Sequence, residues 1–390
     1  MFLTYKYRLL PSKRQHAALA RICEDQRQLY CAALQERIDC YRKTGKGRSY
    51  VDQCRALAEC RRDLLDMAAL PVNLQRWTLK RLDDAFSGFF RRVKRGEKPG
   101  FPRFRGKGWW NSFGFAEFSG IKFDGKRLRF RGLPSGLRVH LHRPLPDNAD
   151  IRSCVFRRDG RGWFVCFQVA VAVPEKRVVE RAVGIDLGLK VFAYQSDSVV
   201  IPAPKIARRA EKEMRRRQRA LARCKRGSKR RLKVKARLAR AHADIVNART
   251  TWLHQHSARI ANAYDLIAVE DLNVRGMVKN HCLARSISDA SWSKFLGFIA
   301  YKAEKAGSTM IRVNPRNTSQ KCSGCGELVP KSLAVRIHAC PHCGLVMDRD
   351  WNAAKNILAA GIGGGAGNVA KIGKRRPRNI LLTPARELKV

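Results

Sequence analysis

The sequence predicts a multidomain α+β protein in which a β-barrel, interrupted by a helical bundle, precedes an α/β domain with an inserted four-cysteine zinc knuckle. In the first 175 residues, segments in which apolar and polar residues alternate, as in strands, lie on both sides of a helical stretch. From residue 183, three short apolar runs, a long helical stretch and a further apolar run follow one another. Two Cys-x-x-Cys pairs then stand near the carboxyl end, as in structural zinc sites.

The charge balance of the chain predicts a polyanionic partner. The 390 residues are 45% hydrophobic, enough for buried cores, yet 80 Lys and Arg face 32 Asp and Glu, for a net charge of +48. We expect nucleic acid to supply the compensating charge. An anionic membrane is the alternative, but neither a run of about 18 apolar residues nor a signal-peptide pattern is found, so no membrane association is expected. The odd number of cysteines, 13, is typical of a reducing compartment and predicts a cytoplasmic protein.

The amino-terminal part is expected to combine strands with a helical bundle. Residues 2–9 alternate as a strand does, and Ser12 followed by Gln15 is a capping-box pattern that begins a helix. Two more helical patterns, over 51–67 and after Pro71, complete the bundle. The later strands are predicted over residues 139–141, 151–156 and 163–173. The first strand and these later strands are expected to form one β-barrel.

Two basic segments are candidates for contact with nucleic acid. Residues 101–110 interleave Arg and Lys with Phe and Trp, which suits a surface that follows a backbone and stacks on bases. An irregular loop with its aromatic rings packed in a core is the alternative. Residues 205–240 are mostly Arg, Lys and Ala, interrupted at Gly227. Because so many like charges repel one another, this segment favours contact with nucleic acid over a merely solvated helix face.

The second half of the chain has the element order of a ribonuclease H-like fold. After three short strands and a long helical region, a fourth strand ends at Glu270. A helix over 292–303 and a strand over 310–313 follow, with Gly307 as the helix stop between them. The first three strands are predicted at residues 183–186, 191–194 and 199–201.

Acidic residues stand at the ends of these elements. Asp186 follows the apolar run Val-Gly-Ile, and Glu270 ends a run in which an unpaired charge would be costly. The third carboxylate could come from Asp348 or Asp350. On a helix that begins near Asp348, Asp350 shares a face with small apolar residues, so Asp350 is the predicted ligand and Asp348 the helix cap. Three carboxylates at one point can hold two divalent metals and cut a phosphodiester, which makes a nuclease the leading hypothesis.

Four cysteines form two pairs that are separated by 14 residues, a spacing typical of a zinc site with four thiolate ligands. They are Cys322, Cys325, Cys340 and Cys343. The tandem arrangement disfavours a redox Cys-x-x-Cys, while His338 and His342 are near enough in sequence to be substitute ligands. Because four thiolates leave no open coordination position, the zinc is expected to be structural.

In combination these motifs resemble the TnpB (OrfB) family, transposon-encoded RuvC-like nucleases related to the type V CRISPR effectors. The residues that carry the resemblance are Gly184–Gly188, Val269–Leu272, Arg316–Cys322, the two cysteine pairs and Asp348–Ala354. The likeness covers nearly the whole chain. It is looser in the amino-terminal part, where Phe101–Phe104 is its main motif.

The resemblance implies RNA-guided cleavage of double-stranded DNA next to a short flanking motif that the protein reads. The guide RNA would derive from the transposon end, and the protein would act as a monomer with its RNA. Asp186, Glu270 and Asp350 would bind two catalytic Mg²⁺ ions, and the four cysteines would bind one structural Zn²⁺. One magnesium would activate water, and the other would stabilise the leaving oxygen.

The resemblance also implies a domain organisation with a wedge barrel, a helical recognition domain and a RuvC-like nuclease domain. The expected ranges are 1–10 and 100–175 for the wedge, 11–99 for the recognition domain, 176–318 and 346–361 for the nuclease, 319–345 for the zinc knuckle and 362–390 for a basic disordered tail. Two other classes stay open: a guided DNA-binding repressor with little cleavage, and a self-sufficient transposase or junction nuclease. The intact set of three carboxylates argues against the repressor.

Overall fold

The computed structural model describes residues 1–332 and 334–363, and the chain divides into two compact units. The first unit comprises Met1–Ala172 with Met214–Asp244, and the second comprises Val173–Glu213 with the residues from Ile245 onward. The basic tail expected from residue 362 lies, after Gly363, outside the described residues. No helix in the described ranges combines the length and the apolar character that a membrane span requires.

The first unit contains a seven-stranded antiparallel sheet in the order β2-β6-β7-β1-β5-β4-β3. Its strands are β1 (Phe2–Leu10), β2 (Ser112–Phe115), β3 (Ile121–Phe123), β4 (Arg127–Phe130), β5 (Leu137–His140), β6 (Asp150–Asp159) and β7 (Gly162–Ala170). Strand β1 joins the two halves, because Phe2–Arg8 pair with β7 and Arg8–Leu10 pair with β5. The edge strands β2 and β3 do not pair with each other, so the expected barrel is a curled half-barrel that does not close.

Alternation along β1 explains which face of this sheet is buried. Its odd-numbered residues face inward and its even-numbered residues face solvent, as a period of two requires. Aromatic rings fill the space behind the sheet, and Phe113 stacks on Phe156 with ring centroids 4.9 Å apart. A Cβ added at Gly114 would lie 2.9 Å from Trp77 Cε2, so the glycine lets a helix approach the sheet closely.

Four helices of the first unit lie between β1 and β2 in the chain. They are α1 (Lys13–Thr44), α2 (Tyr50–Asp63), α3 (Leu65–Ala68) and α4 (Val72–Lys94). The predicted capping box is present: Ser12 Oγ accepts from the Gln15 N–H at 3.2 Å, and Gln15 Oε1 accepts from the Ser12 N–H at 3.0 Å. Three basic helices follow the strands of the next sheet along the chain: α5 (Ile206–Arg209), α6 (Glu211–Ala222) and α7 (Lys229–Ala263). Gly227, at φ +82°, separates α6 from α7 as predicted.

The second unit contains a five-stranded mixed sheet in the order β10-β9-β8-β11-β12. Its strands are β8 (Ala182–Leu187), β9 (Val191–Gln195), β10 (Val200–Pro202), β11 (Leu266–Glu270) and β12 (Thr309–Val313). The first three form an antiparallel meander, and β11 runs parallel to both β8 and β12. All five strands lie where the sequence predicts them. The remaining helices are α8 (Val274–Met277), α9 (His281–Ala290), α10 (Trp292–Ala306) and α11 (Arg349–Gly363).

Helix α11 packs directly on the centre of this sheet. A Cβ at Gly184 would lie 2.6 Å from the backbone nitrogen of Leu358, and one at Gly361 would lie 2.6 Å from the Ala268 Cβ. The two glycines therefore remove the bulk that would hold helix and sheet apart. The predicted apolar residues Ala353, Ala354 and Ile357 are buried, and Arg349, Asn352 and Gly361 of the same helix are buried as well.

Candidate active site

The two central parallel strands bring Asp186 and Glu270 to the same edge of the sheet. The register pairs Val269 with Ile185, and the next position along each strand is Glu270 and Asp186. Carboxyl ends of parallel strands are where sites form in open α/β sheets. Glu270 is 9% exposed, although it carries a carboxylate. Burial of this kind is costly for a charge unless a partner or a metal compensates it.

Helix α11 brings the third carboxylate to this edge. Asp350 lies in its first turn, beside the buried face that packs on β8 and β11. Asp348 caps the helix, because its Oδ1 accepts from the backbone N–H of Asp350 at 2.8 Å and of Trp351 at 3.2 Å. The predicted capping role of Asp348 is therefore present, and Asp350 is the residue whose charge acts on Asp186.

The electrostatics of the acids reflect their proximity. Burial first, and then the charges of Glu270 and Asp350, raise the pKa of Asp186 to about 8, while Arg349 opposes the rise. Burial also raises the pKa of Glu270, and the hydroxyl of Thr318 counteracts that rise. A carboxyl group whose pKa is raised by burial and by acidic neighbours is typical of functional sites.

Three residues that were not predicted from the sequence as partners of these acids contact them. Thr318 Oγ1 donates to Glu270 Oε1 at 2.5 Å. Asp350 accepts from Arg336 Nη1 at 3.2 Å and from Arg349 Nη2 at 2.9 Å. Thr318 lies within Arg316–Cys322, one of the segments that carry the family resemblance. No sequence pattern indicates that its hydroxyl donates to Glu270. Arg349 lies between Asp348 and Asp350 in the sequence, and this position only weakly indicates an ion pair with Asp350.

The donor chemistry of the acidic cluster fits a hard divalent cation. Carboxylate oxygens are the ligands that Mg²⁺ prefers, and Asp186, Glu270 and Asp350 provide six of them. The ligand oxygens of Asp186, Glu270 and Asp350 do not all lie within 4.8 Å of one another. The three acids are therefore more widely spaced than the ligands of a single bound metal ion. In this arrangement, arginine and threonine donors compensate two of the three carboxylates.

The four predicted cysteines come together in one cluster. The sulfur atoms of Cys322, Cys325, Cys340 and Cys343 all lie within 4.8 Å of one another. Two Sγ–Sγ distances are 3.6 Å, between Cys322 and Cys343 and between Cys325 and Cys340. A tetrahedral site with metal–sulfur bonds of about 2.3 Å has edges of about 3.8 Å, so the thiols fit a zinc ion. Neither of the histidines considered as substitutes belongs to this cluster.

The cysteine cluster is docked on helix α11. Its second pair of cysteines is framed by a two-stranded ribbon, β13 (Ile337–Ala339) and β14 (Val346–Asp348), which leads directly into the helix. On the helix, Asn352 Oδ1 accepts from the Ser323 N–H at 2.9 Å, and its Nδ2 donates to the Lys321 carbonyl at 2.7 Å. Asn356 Nδ2 donates to the Thr318 carbonyl at 2.8 Å. Helix α11 therefore holds the cysteine segment at both ends.

In the first unit, the aromatic residues of the 101–110 segment divide between surface and core. Trp109 is 81% exposed, whereas Trp110 is buried against Tyr30, with ring centroids 5.0 Å apart. Phe101 contacts Phe86 edge to face at 5.5 Å and keeps half of its surface exposed. The core interpretation is therefore confirmed for Trp110, while a base-stacking surface at the exposed Trp109 stays a prediction.

Cationic side chains cover the loop between α6 and α7 and the first turns of α7. The exposed ones between residues 223 and 240 are Arg223, Lys225, Arg226, Lys229, Arg230, Lys233, Lys235, Arg237 and Arg240. The turn is fixed by Arg231, whose Nη1 donates to the Leu221 carbonyl at 2.7 Å and to the Cys224 carbonyl at 3.1 Å. A band of exposed like charges at this density suits a polyanion.

Comparison with protein-family models gives three matches along the chain. Residues 165–281, which include Asp186 and Glu270, match the OrfB IS605 model, described as "Probable transposase". Residues 292–357, which include the cysteine cluster and Asp350, match a Cas12f1-like TNB domain. Residues 1–46 match a helix-turn-helix model of OrfB IS605 proteins; in the structure this range holds β1 and α1.

Two curated relatives match over nearly their full length. A protein of Streptomyces pristinaespiralis named "Putative RNA-guided DNA endonuclease" is 32% identical over 372 residues, which cover 93% of this chain and 90% of that protein. A protein of Escherichia coli K12 named "Putative RNA-guided DNA endonuclease InsQ" is 26% identical, and the match covers 92% of both chains.

A solved structure is also similar to this chain. A Cas12f1 in complex with single-guide RNA and target DNA matches with a TM-score of 0.57 at 14% identity. The match covers 89% of this chain and 83% of the Cas12f1. At this level of identity, the likeness shows a shared fold.

Proposed function

This chain belongs to the TnpB (OrfB) family, which is related to Cas12f, and on that premise we propose that it is an RNA-guided endonuclease that cuts double-stranded DNA. The observation that carries the proposal is the meeting of Asp186, Glu270 and Asp350 at one edge of a sheet, in a chain of net charge +48. The relatives named as RNA-guided endonucleases, and the Cas12f1 fold with its RNA and DNA, support the same assignment.

The strand order of the second unit supports a ribonuclease H-like, RuvC-type nuclease domain. The chain order of three short strands, a long helix, β11, α10 and β12 is the expected one, and the structure shows that the first three strands form an antiparallel meander while β11 runs parallel to β8 and β12. We assign 176–318 and 346–361 to this domain and 319–345 to the knuckle. The wedge assignment, 1–10 and 100–175, follows the half-barrel, and the recognition assignment, 11–99, follows α1–α4.

In the proposed mechanism, Asp186, Glu270 and Asp350 would hold two Mg²⁺ ions, and these ions would supply the positive charge needed to activate water and to stabilise the leaving oxygen. The protein contributes the placement of the acids. Glu270 is oriented by the hydroxyl of Thr318, and Asp350 is oriented by the guanidinium group of Arg349. Asp186 has the most to gain from a cation, because burial and its two acidic neighbours disfavour its ionised form.

We also propose that the four cysteines bind one structural Zn²⁺. All four sulfurs would be occupied by the metal, so the zinc would have no position for substrate or water. Its effect on cleavage would be indirect, through the ribbon and the asparagine contacts that join the cluster to α11. Metal binding at such a site contributes directly to folding.

The partners in this proposal are a guide RNA from the transposon end and a double-stranded DNA target, bound by a protein monomer. Exposed cations between residues 223 and 240, together with the stacking surface at Trp109, are the proposed contacts. Phosphate contacts carry no sequence information, so base pairing with the guide would select the target. The expected setting is the cytoplasm, where the host DNA of bacterial relatives is accessible.

The test is to measure DNA cleavage by the protein after purification from a host that carries the transposon encoding it. We expect a structured RNA to co-purify and to redirect cleavage when its guide portion is replaced. Ribonuclease-treated protein should lose site-specific cleavage, and adding the RNA back should restore it. Equal cleavage with and without RNA would support a self-sufficient nuclease instead, and guided binding without cleavage would support a repressor.

A further inference from the structure

Asp350 is paired with two guanidinium groups. Its Oδ2 accepts from Arg336, and its Oδ1 accepts from both Nε and Nη2 of Arg349, at 3.1 and 2.9 Å. Neither Asp186 nor Glu270 has an ion pair among the described contacts of this structure. One carboxylate of the three is therefore doubly compensated, and it is the one contributed by the helix.

The two arginines differ in their freedom to move. The side chain of Arg349 is 10% exposed, and its Nη1 also donates to the Val335 carbonyl at 3.1 Å. The side chain of Arg336 is 40% exposed, and it reaches Asp350 through a single nitrogen. Arg336 can therefore turn into solvent at little cost, whereas Arg349 is held in place by the fold.

Both arginines belong to the end of the ribbon that carries the second cysteine pair. Arg336 directly precedes β13, and Arg349 directly follows β14. The backbone N–H of Arg349 donates to the Arg336 carbonyl at 2.8 Å, which extends the ribbon by one step and places both guanidinium groups at the start of α11. The cysteine segment thus fixes where the counter-charge of Asp350 lies.

We propose that Arg336 is a positioning residue that serves as a replaceable counter-cation, holding Asp350 in the metal-free protein and leaving it when a divalent metal binds. The inference rests on the proposed metal site and adds a residue to it. A guanidinium group and a metal ion compete for the same carboxylate, because two cations at contact distance repel each other. No covalent bond changes in the exchange. The guanidinium returns to water, and Asp350 then turns its oxygens to the metal.

The experiment compares Arg336→Gln with a matched variant, Arg312→Gln, in the full-length protein with its bound RNA. Arg312 pairs with Asp271 at 3.0 Å, one residue after Glu270, so its removal lowers the local charge equally without touching the three acids. Metal binding is followed by Tb³⁺ luminescence excited through protein aromatic residues, with Mg²⁺ as competitor. Trp351 directly follows Asp350 in the chain and can sensitise an ion bound there.

We expect Arg336→Gln to bind Mg²⁺ about fivefold more tightly than the unaltered protein, and Arg312→Gln to bind it unchanged. In metal-free buffer, Arg336→Gln should have the lower Tm, because Asp350 then faces the other acids with one counter-charge fewer. Tighter metal binding in a less stable metal-free protein is a combination that a purely structural arginine does not produce. Half-saturation of cleavage should shift to lower Mg²⁺ by the same factor, with the maximal rate nearly unchanged.

Asp350→Asn separates the failure of this inference from that of the metal site. If Asp350→Asn removes the sensitised signal while Arg336→Gln binds the metal no more tightly than Arg312→Gln, the counter-cation role is wrong and the metal site stands. If Asp350→Asn leaves the signal and the Mg²⁺ competition intact, the metal does not bind there, and both proposals are overturned.

Discussion

The second unit contains two clusters of potential metal ligands that are built in opposite ways. The four cysteines come from 22 consecutive residues, Cys322–Cys343, and their sulfurs already lie within 4.8 Å of one another. The three acids come from two strands and a helix that are spread over 165 residues, from Asp186 to Asp350. Burial, together with repulsion between the acids, raises the pKa of Asp186 to about 8.

This contrast indicates which cluster depends on the rest of the fold. A local cluster can form as soon as its own loop closes, because the entropy cost of closing a short loop is small. The acidic cluster exists only when β8, β11 and α11 pack together, so every contact between them contributes to its geometry. We expect that substitutions can disturb the acidic cluster without disturbing the cysteine cluster. The following substitutions test whether cleavage and zinc content change independently.

The largest effect should come from removing an acid. Asp186→Ala, Glu270→Ala and Asp350→Ala should each lower Mg²⁺-dependent DNA cleavage by roughly 10³-fold or more, because each removes a proposed metal ligand. Binding of RNA and DNA, measured by gel shift, should stay within about twofold, since phosphate contacts supply the grip. Asp348→Ala is the control and should retain most activity, at a cost of about 1 kcal/mol in stability from the lost cap. If Asp348→Ala abolishes cleavage and Asp350→Ala does not, Asp348 is the metal ligand and the assignment of Asp350 is wrong.

Loss of a cysteine ligand should have the next largest effect. Elemental analysis should find about one Zn²⁺ per chain, and Cys340→Ser should lose it and unfold the knuckle locally. Cleavage should then fall about tenfold or more, because Thr318 would no longer be held against Glu270 and α11 would lose its contacts with the cysteine segment. Cys282→Ser, a change at an exposed cysteine of the same unit, should keep both zinc and activity. Active, folded protein without zinc would contradict the structural role of the metal.

Gly184→Ala should damage the acidic cluster and spare the cysteine cluster. The added methyl group would lie 2.6 Å from the Leu358 nitrogen and push α11 off the sheet, which should cost about 1–3 kcal/mol in unfolding free energy. Zinc content should remain at one per chain while cleavage falls. Gly297→Ala, in helix α10 with no atom within 4 Å of the new methyl group, should be neutral or slightly stabilising. A parallel loss of zinc in Gly184→Ala would mean that the two clusters fold as one.

The smallest effect concerns the metal-free protein and its pH dependence. The folded pKa of Asp186, about 8, is above its ordinary value near 4, so the folded state binds the extra proton. Stability from this proton is fully present below about pH 4 and is lost as pH rises through about 8. In chelator at pH 8.5, Asp186→Asn should therefore melt about 2–5 °C above the unaltered protein, and the gap should narrow at pH 6. Asp271→Asn, at an exposed neighbour of Glu270, should show no such gap.

Much of the fold was predictable because its signals are local. The capping box at Ser12, the five strands of the second sheet and the buried face of α11 each follow from a pattern within one element. Strands β2, β3 and β4 were not predicted, since runs of three or four residues are too short to show a period of two. The barrel was expected to close, but whether its edge strands meet depends on the curl of the whole sheet.

For the candidate site, the amino-acid pattern alone indicates which residues can bind metal and on which elements they stand. Asp186, Glu270 and Asp350 were identifiable because a carboxylate at the end of an apolar strand, or on the small face of a helix, is too costly to be without a partner. The cysteine cluster was predictable from the spacing of its four residues. In both sets the information lies in the residue and its immediate neighbours along the chain.

Which side chains pair with the carboxylates of those acids depends instead on the folded chain. Thr318 donates to Glu270 across 48 residues of chain, and Arg336 reaches Asp350 around the hairpin that holds the second cysteine pair. In a chain with 80 Lys and Arg, sequence cannot indicate which guanidinium faces which carboxylate. That choice depends on the register of the ribbon and on the close packing of α11 on the sheet, because an ion pair or a hydrogen bond forms only within a few ångströms.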